Sequence, residues 1–293
     1  MRKVLLTGGT GLIGQALIPA LRKAGYEPLV LTRQAPQSPA FIQWDGRHIP
    51  PHLSEEKIEA VINLAGANIA ARRWTETYKR ELWESRVELT HQLSQWMQRY
   101  VPQARLLSAS AVGYYGHTLS MERLAETSPP GTDFLAGLAQ AWEKAAQEAS
   151  PSAVILRLGV VLARTGGAWI QLRRAFWFGI GSYFLPGVQG FSWVHLTDVV
   201  RAFLWIMEQP AKTGVYNLTA PQPVSAKELA EVILRRKKGL LLVPIPESAL
   251  RFAFGEMALT LTRGVYAVPQ RLLSEGFSFT YPTLDEAVRD LLP

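Results

Sequence analysis

The feature that most constrains the fold of this chain is a glycine-rich segment near its N-terminus. The segment follows the apolar run Val4-Leu5-Leu6 and reads Thr7-Gly8-Gly9-Thr10-Gly11-Leu12-Ile13-Gly14. It fits the pattern G-x-G-x-x-G and lies between a predicted strand at 3–6 and a predicted helix at 12–23. In that setting glycines permit a tight turn, and the free N–H groups and positive dipole end of the helix attract a pyrophosphate. We therefore predict a dinucleotide site rather than a purely structural turn, with contacts from Gly8, Thr10, Gly11, Leu12, Ile13 and Gly14.

The hydrophobic pattern of the first 160 residues predicts the fold class. Apolar runs of strand length alternate with amphipathic stretches of helix length, which is typical of a parallel sheet with crossover helices. We predict an α/β fold, a Rossmann-like doubly wound parallel sheet. The predicted strands lie at 3–6, 28–32, 60–64, 105–108 and 153–158, and the predicted helices at 12–23, 75–99 and 134–148.

The pattern loosens after residue 160, where an aromatic and glycine-rich stretch at 169–193 shows no clear period. Helical periodicity returns at 196–207, 225–236 and 283–292, and a short strand is expected at 215–218. We predict that residues 1–160 form mainly the dinucleotide-binding domain. Residues 161–293 then form mainly a smaller C-terminal substrate lobe, with some segments returning to the first domain.

Composition excludes several classes of protein. The chain has no cysteine, so disulfides, thiolate metal sites and cysteine nucleophiles are excluded. His, Asp and Glu show no metal-ligand spacing, so we predict no metal. The most apolar long stretch, 240–258, is interrupted by Pro244, Glu247 and Arg251, which predicts no membrane span and a cytoplasmic protein. The net charge of +7 is scattered in short clusters that favour solvated helix ends over a nucleic-acid surface.

The end of the second predicted strand distinguishes between dinucleotides. NAD sites usually place an acidic residue there, about 20 positions after the glycines, to bind the ribose hydroxyls. This chain has Thr32-Arg33 instead. A carboxylate would repel the 2'-phosphate of NADP, whereas a guanidinium binds it through charge-assisted hydrogen bonds. Thr32 and Arg33 therefore favour NADP(H), the alternative being that Arg33 is an ordinary exposed arginine at a strand end.

Several longer motifs accompany the glycine turn. They are Asn63-Leu64-Ala65-Gly66, Arg73-Trp74-Thr75, Ser85-Arg86, Ser108-Ala109-Ser110-Ala111-Val112-Gly113-Tyr114-Tyr115-Gly116, Trp193-Val194-His195, Pro269-Gln270-Arg271-Leu272 and Gly276-Phe277-Ser278-Phe279-Thr280-Tyr281-Pro282. Together they resemble the extended short-chain dehydrogenase/reductases of the nucleoside-diphosphate-sugar epimerase type, and in particular an atypical subfamily known as epimerase family proteins. The likeness runs the length of the chain. It implies a Rossmann-like NADP-binding domain followed by a small substrate lobe.

The resemblance also implies further cofactor contacts. By position in the family pattern, Leu64 and Ala65 line the adenosine side, and Glu81, Arg86 and Val161 lie against the cofactor. Gly66 is a further cofactor-binding residue. Judged by residue type alone, Glu81 and Arg86 would instead be charges on a solvated helix face.

Proton transfer is where the chain departs from the family. Its relatives use a serine or threonine, a tyrosine as general acid/base, and a lysine four residues after the tyrosine. Ser110 matches the serine, but the segment expected to hold the other two carries Phe134 and Leu138. We take Ser110 and Tyr114 as the candidate catalytic residues. The alternative is that Tyr114 and Tyr115 only pack the loop.

The remaining aromatic residues and a histidine suggest a substrate pocket. We assign Trp74, Tyr115, Trp193 and His195 to it, with Trp169, Trp177, Phe178, Tyr183 and Phe184 as further aromatic candidates. Ordinary core packing is the alternative for these aromatics. His195 with Asp198 is also a candidate for proton transfer, since histidine titrates near neutral pH. The stronger alternative for this pair is a structural role at the start of the helix that follows.

These observations predict an NADP(H)-binding, epimerase-like oxidoreductase that acts on an unknown carbonyl or sugar-like substrate without the usual tyrosine and lysine. The alternative is a non-catalytic NADP(H)-binding sensor or scaffold, division-related as in one plant relative. A homodimer is expected by analogy with the wider superfamily.

Overall fold

The computed structural model describes residues 2–35, 38–46, 48–176 and 178–292. Strands and helices alternate through its first half. In chain order they are β1 (Arg2–Thr7), α1 (Leu12–Lys23), β2 (Tyr26–Thr32), β3 (Phe41–Gln43), β4 (Ile58–Asn63), α2 (Glu76–Trp83), α3 (Leu89–Tyr100), β5 (Arg105–Ala111), β6 (Arg123–Leu124), α4 (Phe134–Gln147) and β7 (Val154–Leu158). A π-helical turn at Glu84–Glu88 joins α2 to α3, and 3-10 turns lie at Pro51–Glu55 and Val112–Tyr115.

The second half has shorter elements. They are β8 (Val160–Ala163), β9 (Gly166–Gly167), α5 (Ala168–Arg174), β10 (Ile180–Phe184), β11 (Gly190–Phe191), β12 (Trp193–His195), α6 (Leu196–Met207), β13 (Gly214–Leu218), β14 (Val224–Ser225), α7 (Ala226–Arg236), β15 (Leu241–Ile245), α8 (Glu247–Phe254), α9 (Leu259–Thr262), β16 (Tyr266–Ala267), α10 (Gln270–Ser274) and α11 (Leu284–Leu291). A 3-10 turn at Gly255–Ala258 lies between α8 and α9.

A parallel sheet of seven strands organises the described part of the chain. The strand order is β13-β7-β5-β4-β1-β2-β3, and every neighbouring pair is parallel. The chain therefore runs outward from β1 in both directions, which leaves a crevice at the carboxyl ends of β1 and β4. The predicted Rossmann-like α/β fold is confirmed.

The core lies on the two faces of this sheet. Val4 and Leu6 point to one face, where α1 and α6 cover them, while Leu5 points to the other face beneath α3 and α4. This alternation follows from the period of two along a strand, and it explains why β1 is apolar at every position from Val4 to Leu6.

The C-terminal half of the chain has an apolar cluster of its own, centred on the fully buried Trp169 and Trp193. Capping boxes begin two of its helices, with Ser225 paired to Glu228 at α7 and Thr283 paired to Glu286 at α11. The chain also returns from this half to the large sheet, because β13 pairs with β7 and α6 packs on α1.

Several sequence expectations need adjustment. Helices α1 and α6 have the predicted bounds, but the single helix expected at 75–99 contains the π-helical turn. The stretch 169–193, whose sequence shows no clear hydrophobic period, contains α5, β10 and β11. No helix in the described ranges is both long and apolar enough to cross a bilayer, and the stretch 240–258 forms β15, α8 and a 3-10 turn.

Candidate cofactor-binding and active site

The glycine turn folds tightly between β1 and α1. The Gly11 N–H donates to Gly8 O at 3.0 Å. Gly8 has a φ of 68°, and a Cβ there would lie 2.5 Å from Leu64 O. A Cβ at Gly14 would lie 2.5 Å from Gly9 Cα. Glycine is therefore required at both positions. At Gly8 it leaves room for the loop after β4, and at Gly14 it lets the first turn of α1 pack against the glycine turn.

The first turn of α1 is open to an anion. Gly11 is the N-cap, no side chain caps the helix, and the first turn carries no acidic residue. Thr10 is exposed, and its carbonyl accepts a hydrogen bond from Gln15 Nε2 at 2.9 Å. The first backbone N–H groups of an α-helix have no intrahelical partner. Because no side chain satisfies those of α1, the start of this helix fits a pyrophosphate. Next to it, Ile13 is half-buried against the core.

Thr32 and Arg33 lie at the carboxyl end of β2. Thr32 is buried, and its Oγ1 accepts from the Gln34 N–H at 3.1 Å. The Arg33 side chain is exposed and passes beside Gly46. Among the described residues it has no ion-pair partner, so the guanidinium is available to a phosphate.

The loop after β4 carries Leu64, Ala65 and Gly66 to the turn and to a buried arginine. Leu64 and Ala65 lie against Gly8, and a Cβ at Gly66 would come within 3.0 Å of Arg86 Cζ. Arg86 Nη2 donates to Ala67 O at 2.8 Å. The interpretation of Arg86 as a solvated helix charge is wrong, because the side chain is buried in the π-helical turn.

Arg86 has an unusual electrostatic position. Burial lowers its pKa to about 10, and its guanidinium lies 5.3 Å from the Trp142 ring. In the described ranges no carboxylate pairs with it. A buried positive charge of this kind needs compensation, which an anionic ligand at the loop would supply.

Val161 and Leu12 close the other side of this crevice. Val161 is half-buried on β8, paired with Val194 on β12. The hairpin of β8 and β9 brings Gly166 and Gly167 against Leu12, where added Cβ atoms would approach within 3.1 and 2.9 Å. Among the predicted residues, Gly8 thus lies against Leu64 and Ala65, Gly66 lies against Arg86, and Gly167 lies between Leu12 and Val161.

Glu81 lies apart from this group. It is exposed on α2, and its Oε2 is 3.5 Å from Arg72 Nη1. Glu81 is therefore a solvated charge on a helix face, as its residue type alone suggests. The contact with cofactor implied by the family resemblance stays a prediction.

Ser110 lies at the carboxyl end of β5 and is buried. Its hydroxyl donates to Glu143 Oε1 at 2.7 Å. The same carboxylate accepts Arg157 Nε and Nη2, each at 2.8 Å. Burial alone would lower the pKa of Arg157, but the hydrogen bonds and charge of Glu143 raise it above its ordinary value. Ser110 therefore belongs to a buried charged network beneath the loop.

The two tyrosines after β5 differ in their environment. The half-buried Tyr114 ring lies on the Arg157 guanidinium, with Cζ 3.3 Å from the ring centroid. Its hydroxyl has no hydrogen-bond partner in the described ranges. Tyr115 is buried, its Oη lies 2.8 Å from Asn217 Oδ1, and burial raises the pKa of its phenol. Tyr114 thus retains a hydroxyl for a ligand, whereas Tyr115 uses its own internally.

The segment that would hold the family's tyrosine and lysine is apolar. Phe134 and Leu138 pack with Trp74 and Tyr78, and Met257 joins them from the C-terminal half. The rings of Trp74 and Phe134 meet edge to face at 5.6 Å. Trp74 donates from Nε1 to Ile69 O at 3.0 Å. The predicted pocket residue Trp74 therefore lies where the loop after β4, helix α2, the start of α4 and the Gly255–Ala258 turn meet.

Sequence reasoning missed a histidine at this place. His117 follows the Val112–Tyr115 turn, and its Nδ1 lies 3.1 Å from Asp133 Oδ2 at the N-cap of α4. Its ring centroid is 6.4 Å from that of Trp74. No spacing rule connects residues 117 and 133, because the fold of the intervening loop creates the pair.

Trp193 and His195 are located elsewhere. Trp193 is fully buried, and its Nε1 donates to Gln222 O at 3.2 Å. His195 is the N-cap of α6, where Nδ1 accepts from the Thr197 N–H at 3.2 Å, and its ring packs against that of Tyr281 at a tilt of 42°. Asp198, in the first turn of α6, accepts the N–H of Tyr281 at 2.9 Å. These contacts match core packing for Trp193 and a structural role for His195 with Asp198. Neither Trp193 nor His195 adjoins Tyr114 or Trp74.

The other aromatic candidates do not form one pocket. Trp169 is buried in the apolar cluster of the C-terminal half, Phe178 is exposed, and Phe184 is half-buried. Tyr183 lines an open cavity of about 590 Å³ between α7 and β15, which touches none of the predicted cofactor residues. Trp177 lies outside the described residues. Among the described residues, no group of three His, Asp or Glu side chains could hold a metal ion.

Fold and site together define a protein of the NAD(P)-binding Rossmann type. The model of the NAD dependent epimerase/dehydratase family matches residues 4–219, and the model of a domain of unknown function, DUF1731, matches residues 245–291. The chain belongs to the NAD dependent epimerase/dehydratase family. The resemblance inferred from its motifs is confirmed.

Curated relatives match over almost their whole length. The epimerase family protein Mb2239 of Mycobacterium bovis is 38% identical, with 97% of this chain and 96% of the relative covered. The mouse epimerase family protein SDR39U1 is 35% identical, with 99% of each chain covered. The crystal structure of human SDR39U1 (isoform 2) with NADPH superposes with a TM-score of 0.89 at 30% identity, covering 99% of both chains.

Proposed function

We propose that this protein binds NADP(H) and acts as an oxidoreductase or epimerase on a carbonyl or sugar-like substrate. The observation that carries the proposal is the crevice at the carboxyl edge of the sheet. There the glycine turn, the uncapped start of α1 and the buried Arg86 converge. These groups offer backbone N–H donors and positive charge to a phosphorylated ligand.

The proposed preference for NADP(H) over NAD(H) rests on the residues at the end of β2. The exposed guanidinium of Arg33 is suited to a 2'-phosphate, and no acidic residue takes the position that would bind the ribose hydroxyls of NAD. The NADPH bound in the human relative's structure supports the same cofactor. On this arrangement the adenosine half lies over β1, β2 and β3. The nicotinamide half then lies over the ends of β5 and β7.

We propose that the reaction takes place at the loop after β5. Bound NADPH supplies a hydride. In our proposal Tyr114 donates a hydrogen bond to the substrate oxygen, because its hydroxyl is not used within the described structure. Ser110 acts through Glu143 and Arg157. The Arg157 guanidinium packs against the Tyr114 ring and so fixes its position. The assignment of 161–293 to a substrate lobe belongs to this proposal, and the homodimer and the cytoplasmic location stay predictions.

Thermal unfolding of the purified protein with NADPH, with NADH and with neither tests the cofactor. A ligand that binds only the folded state stabilises it by about 2.7 kcal/mol at a concentration about 100 times its Kd. We expect a larger rise in Tm with NADPH than with NADH. No rise with either cofactor would overturn the proposal.

NADPH absorbance, followed over a panel of aldehydes, ketones and nucleotide sugars, then tests for reaction. We expect at least one carbonyl compound to be reduced, with turnover lowered by Tyr114→Phe. Cofactor binding without turnover on the whole panel would instead favour the sensor or scaffold.

A further inference from the structure

His117 and Asp133 form an oriented pair at the start of α4. The Asp133 carboxylate accepts the backbone N–H of His117 at 2.5 Å and lies 3.1 Å from its Nδ1. Its other oxygen caps α4 by accepting the Ala136 N–H at 3.0 Å. Burial works against the charge on Asp133, but the hydrogen bonds from His117 and Ala136 lower its pKa to about 2. The carboxylate is therefore ionised near neutral pH and acts only as a hydrogen-bond acceptor.

The local backbone is built for this contact. Gly116 has a φ of 78°, and a Cβ there would lie 2.9 Å from Asp133 Oδ2 and 3.1 Å from Gly131 Cα. Only glycine allows the chain to turn here and to bring His117 onto the carboxylate. The turn after β5 thus fixes the orientation of the imidazole.

This orientation directs the second ring nitrogen away from the pair. With Nδ1–H facing Asp133, the proton that the imidazole gains or loses is the one on Nε2. The Nε2 atom has no hydrogen-bond partner among the described residues, and 13% of the side chain is exposed. His117 can therefore exchange a proton with a ligand that reaches it.

The pair lies on the nicotinamide side of the proposed cofactor site. His117 belongs to the loop after β5, and its neighbour Trp74 to the loop after β4. The Gly264 N–H donates to Thr118 O at 3.0 Å, so the same loop touches the C-terminal half. Ligands of open α/β sheets bind in the crevice outside these strand ends.

We propose that His117, oriented by Asp133, is the group that gives a proton to the substrate oxygen, in place of the tyrosine and lysine that α4 lacks. The inference rests on the proposed function and adds the proton donor to it. Phe134 and Leu138, near where the usual pair would stand, lie in the apolar cluster beside Trp74. Tyr114 orients the same oxygen by a hydrogen bond.

The step balances with NADPH as the reductant. The carbonyl carbon gains the hydride, the π electrons of the C=O bond move to oxygen, and the oxygen takes the proton from Nε2 of the imidazolium. The imidazole is left neutral, NADPH is left as NADP⁺, and solvent restores the proton to Nε2. In the reverse direction the neutral imidazole accepts the proton of an alcohol.

The charged side chain of Lys79, next to Phe134, is already paired with carboxylates. Lys79 on α2 lies 5.3 Å from the Phe134 ring and forms a 2.7 Å ion pair with Glu256. Its second carboxylate partner, Glu76, is 3.6 Å away. Asp133 is thus the charge that contacts the His117 ring directly.

An NMR titration of the His117 imidazole tests the inference without any substrate. The resonance is assigned by its loss in His117→Asn, and its midpoint is measured in the free protein, with NADP⁺ and with NADPH. The oxidised nicotinamide ring carries a positive charge and disfavours a nearby imidazolium. We expect a midpoint about 0.5 to 1 pH unit lower with NADP⁺ than with NADPH.

His91 provides the matched control, since its Nδ1 contacts the Glu148 carboxylate on a surface formed by α3 and the end of α4. Its midpoint should be the same with both cofactors.

The outcomes separate the two proposals. Equal His117 midpoints with NADP⁺ and NADPH, while both cofactors bind, would overturn the role of His117 and leave the cofactor proposal standing. Failure of both cofactors to bind would overturn both. With a carbonyl substrate from the panel, His117→Asn should lower kcat about 100-fold or more and leave the Kd for NADPH unchanged, whereas His91→Gln should change neither.

Discussion

Glu143 on α4 clamps Arg157 on β7 through two buried hydrogen bonds of 2.8 Å, one to each carboxylate oxygen. The clamp lies directly beneath the active-site loop, because the Tyr114 ring rests on the same guanidinium. Ser110 adds its hydroxyl to the Glu143 carboxylate. The surface that we expect to face the substrate is therefore supported by a buried charge pair.

Removing one member of this pair should be costly. In Glu143→Gln the buried Arg157 keeps its charge without a compensating carboxylate, and we expect the free energy of unfolding to fall by about 3–5 kcal/mol. Glu148→Gln is the matched control, because Glu148 is exposed and contacts His91 just after the same helix ends. Its loss should stay below about 1 kcal/mol. Urea unfolding measures both, and equal losses would contradict the structural role given to Glu143.

The two glycines inside helices should respond oppositely to alanine. At Gly14 a Cβ would strike Gly9 Cα, so Gly14→Ala must displace the turn, and we expect at least about a tenfold weaker affinity for NADPH. At Gly137, in α4, a Cβ meets no atom within 4 Å. Gly137→Ala should therefore raise the free energy of unfolding by about 0.5–1 kcal/mol. Calorimetric NADPH titration and urea unfolding test the pair, and tight binding by Gly14→Ala would show that the turn does not hold the cofactor.

Arg33 should determine the preference between the two dinucleotides. Without the guanidinium, the 2'-phosphate loses a charge-assisted contact worth about 1.5–3 kcal/mol, so Arg33→Ser should weaken NADPH binding about 10- to 100-fold. NADH, which has no such phosphate, should bind as before. Arg22→Ser, an exposed change in the last turn of α1, is the control. An unchanged ratio of NADPH to NADH affinities in Arg33→Ser would place 2'-phosphate recognition elsewhere.

Local patterns were enough to predict the sheet and the cofactor turn. The bounds of α1 follow from its apolar period and the glycines before it, and Val4 to Leu6 form a strand buried on both faces. Features created by tertiary contacts were not predictable in this way. Arg86 looked like a surface charge because its burial depends on Gly66 and Trp142, which are distant in sequence.

The candidate active site shows the same division. Ser110 was identified by position, but its bond to Glu143 requires β5 and α4 to pack together. His117 has no sequence signal, since its partner Asp133 is recognisable only as a helix cap. Short irregular segments such as β10 also escaped prediction, because five residues containing a glycine carry too little periodicity.

His195 should make the stability of the protein depend on pH. Burial lowers its pKa, although Asp290 acts in the opposite direction. The imidazole of the folded protein therefore takes up its proton at a lower pH than that of the unfolded chain, whose pKa is about 6.5. Between these two pKa values the unfolded state binds more protons, so stability falls as the pH drops below about 6.5, with a slope of at most about 1.4 kcal/mol per pH unit.

His195→Asn removes this dependence and keeps a side chain that can cap α6. Urea unfolding from about pH 7.5 to about pH 5 should show a smaller loss of stability in His195→Asn than in the unsubstituted protein. His52→Asn, at an exposed position in the Pro51–Glu55 turn, should follow the unsubstituted protein. Parallel curves for all three proteins would mean that the buried imidazole is not the source of the acid sensitivity, and the lowering of the His195 pKa by burial would then be wrong.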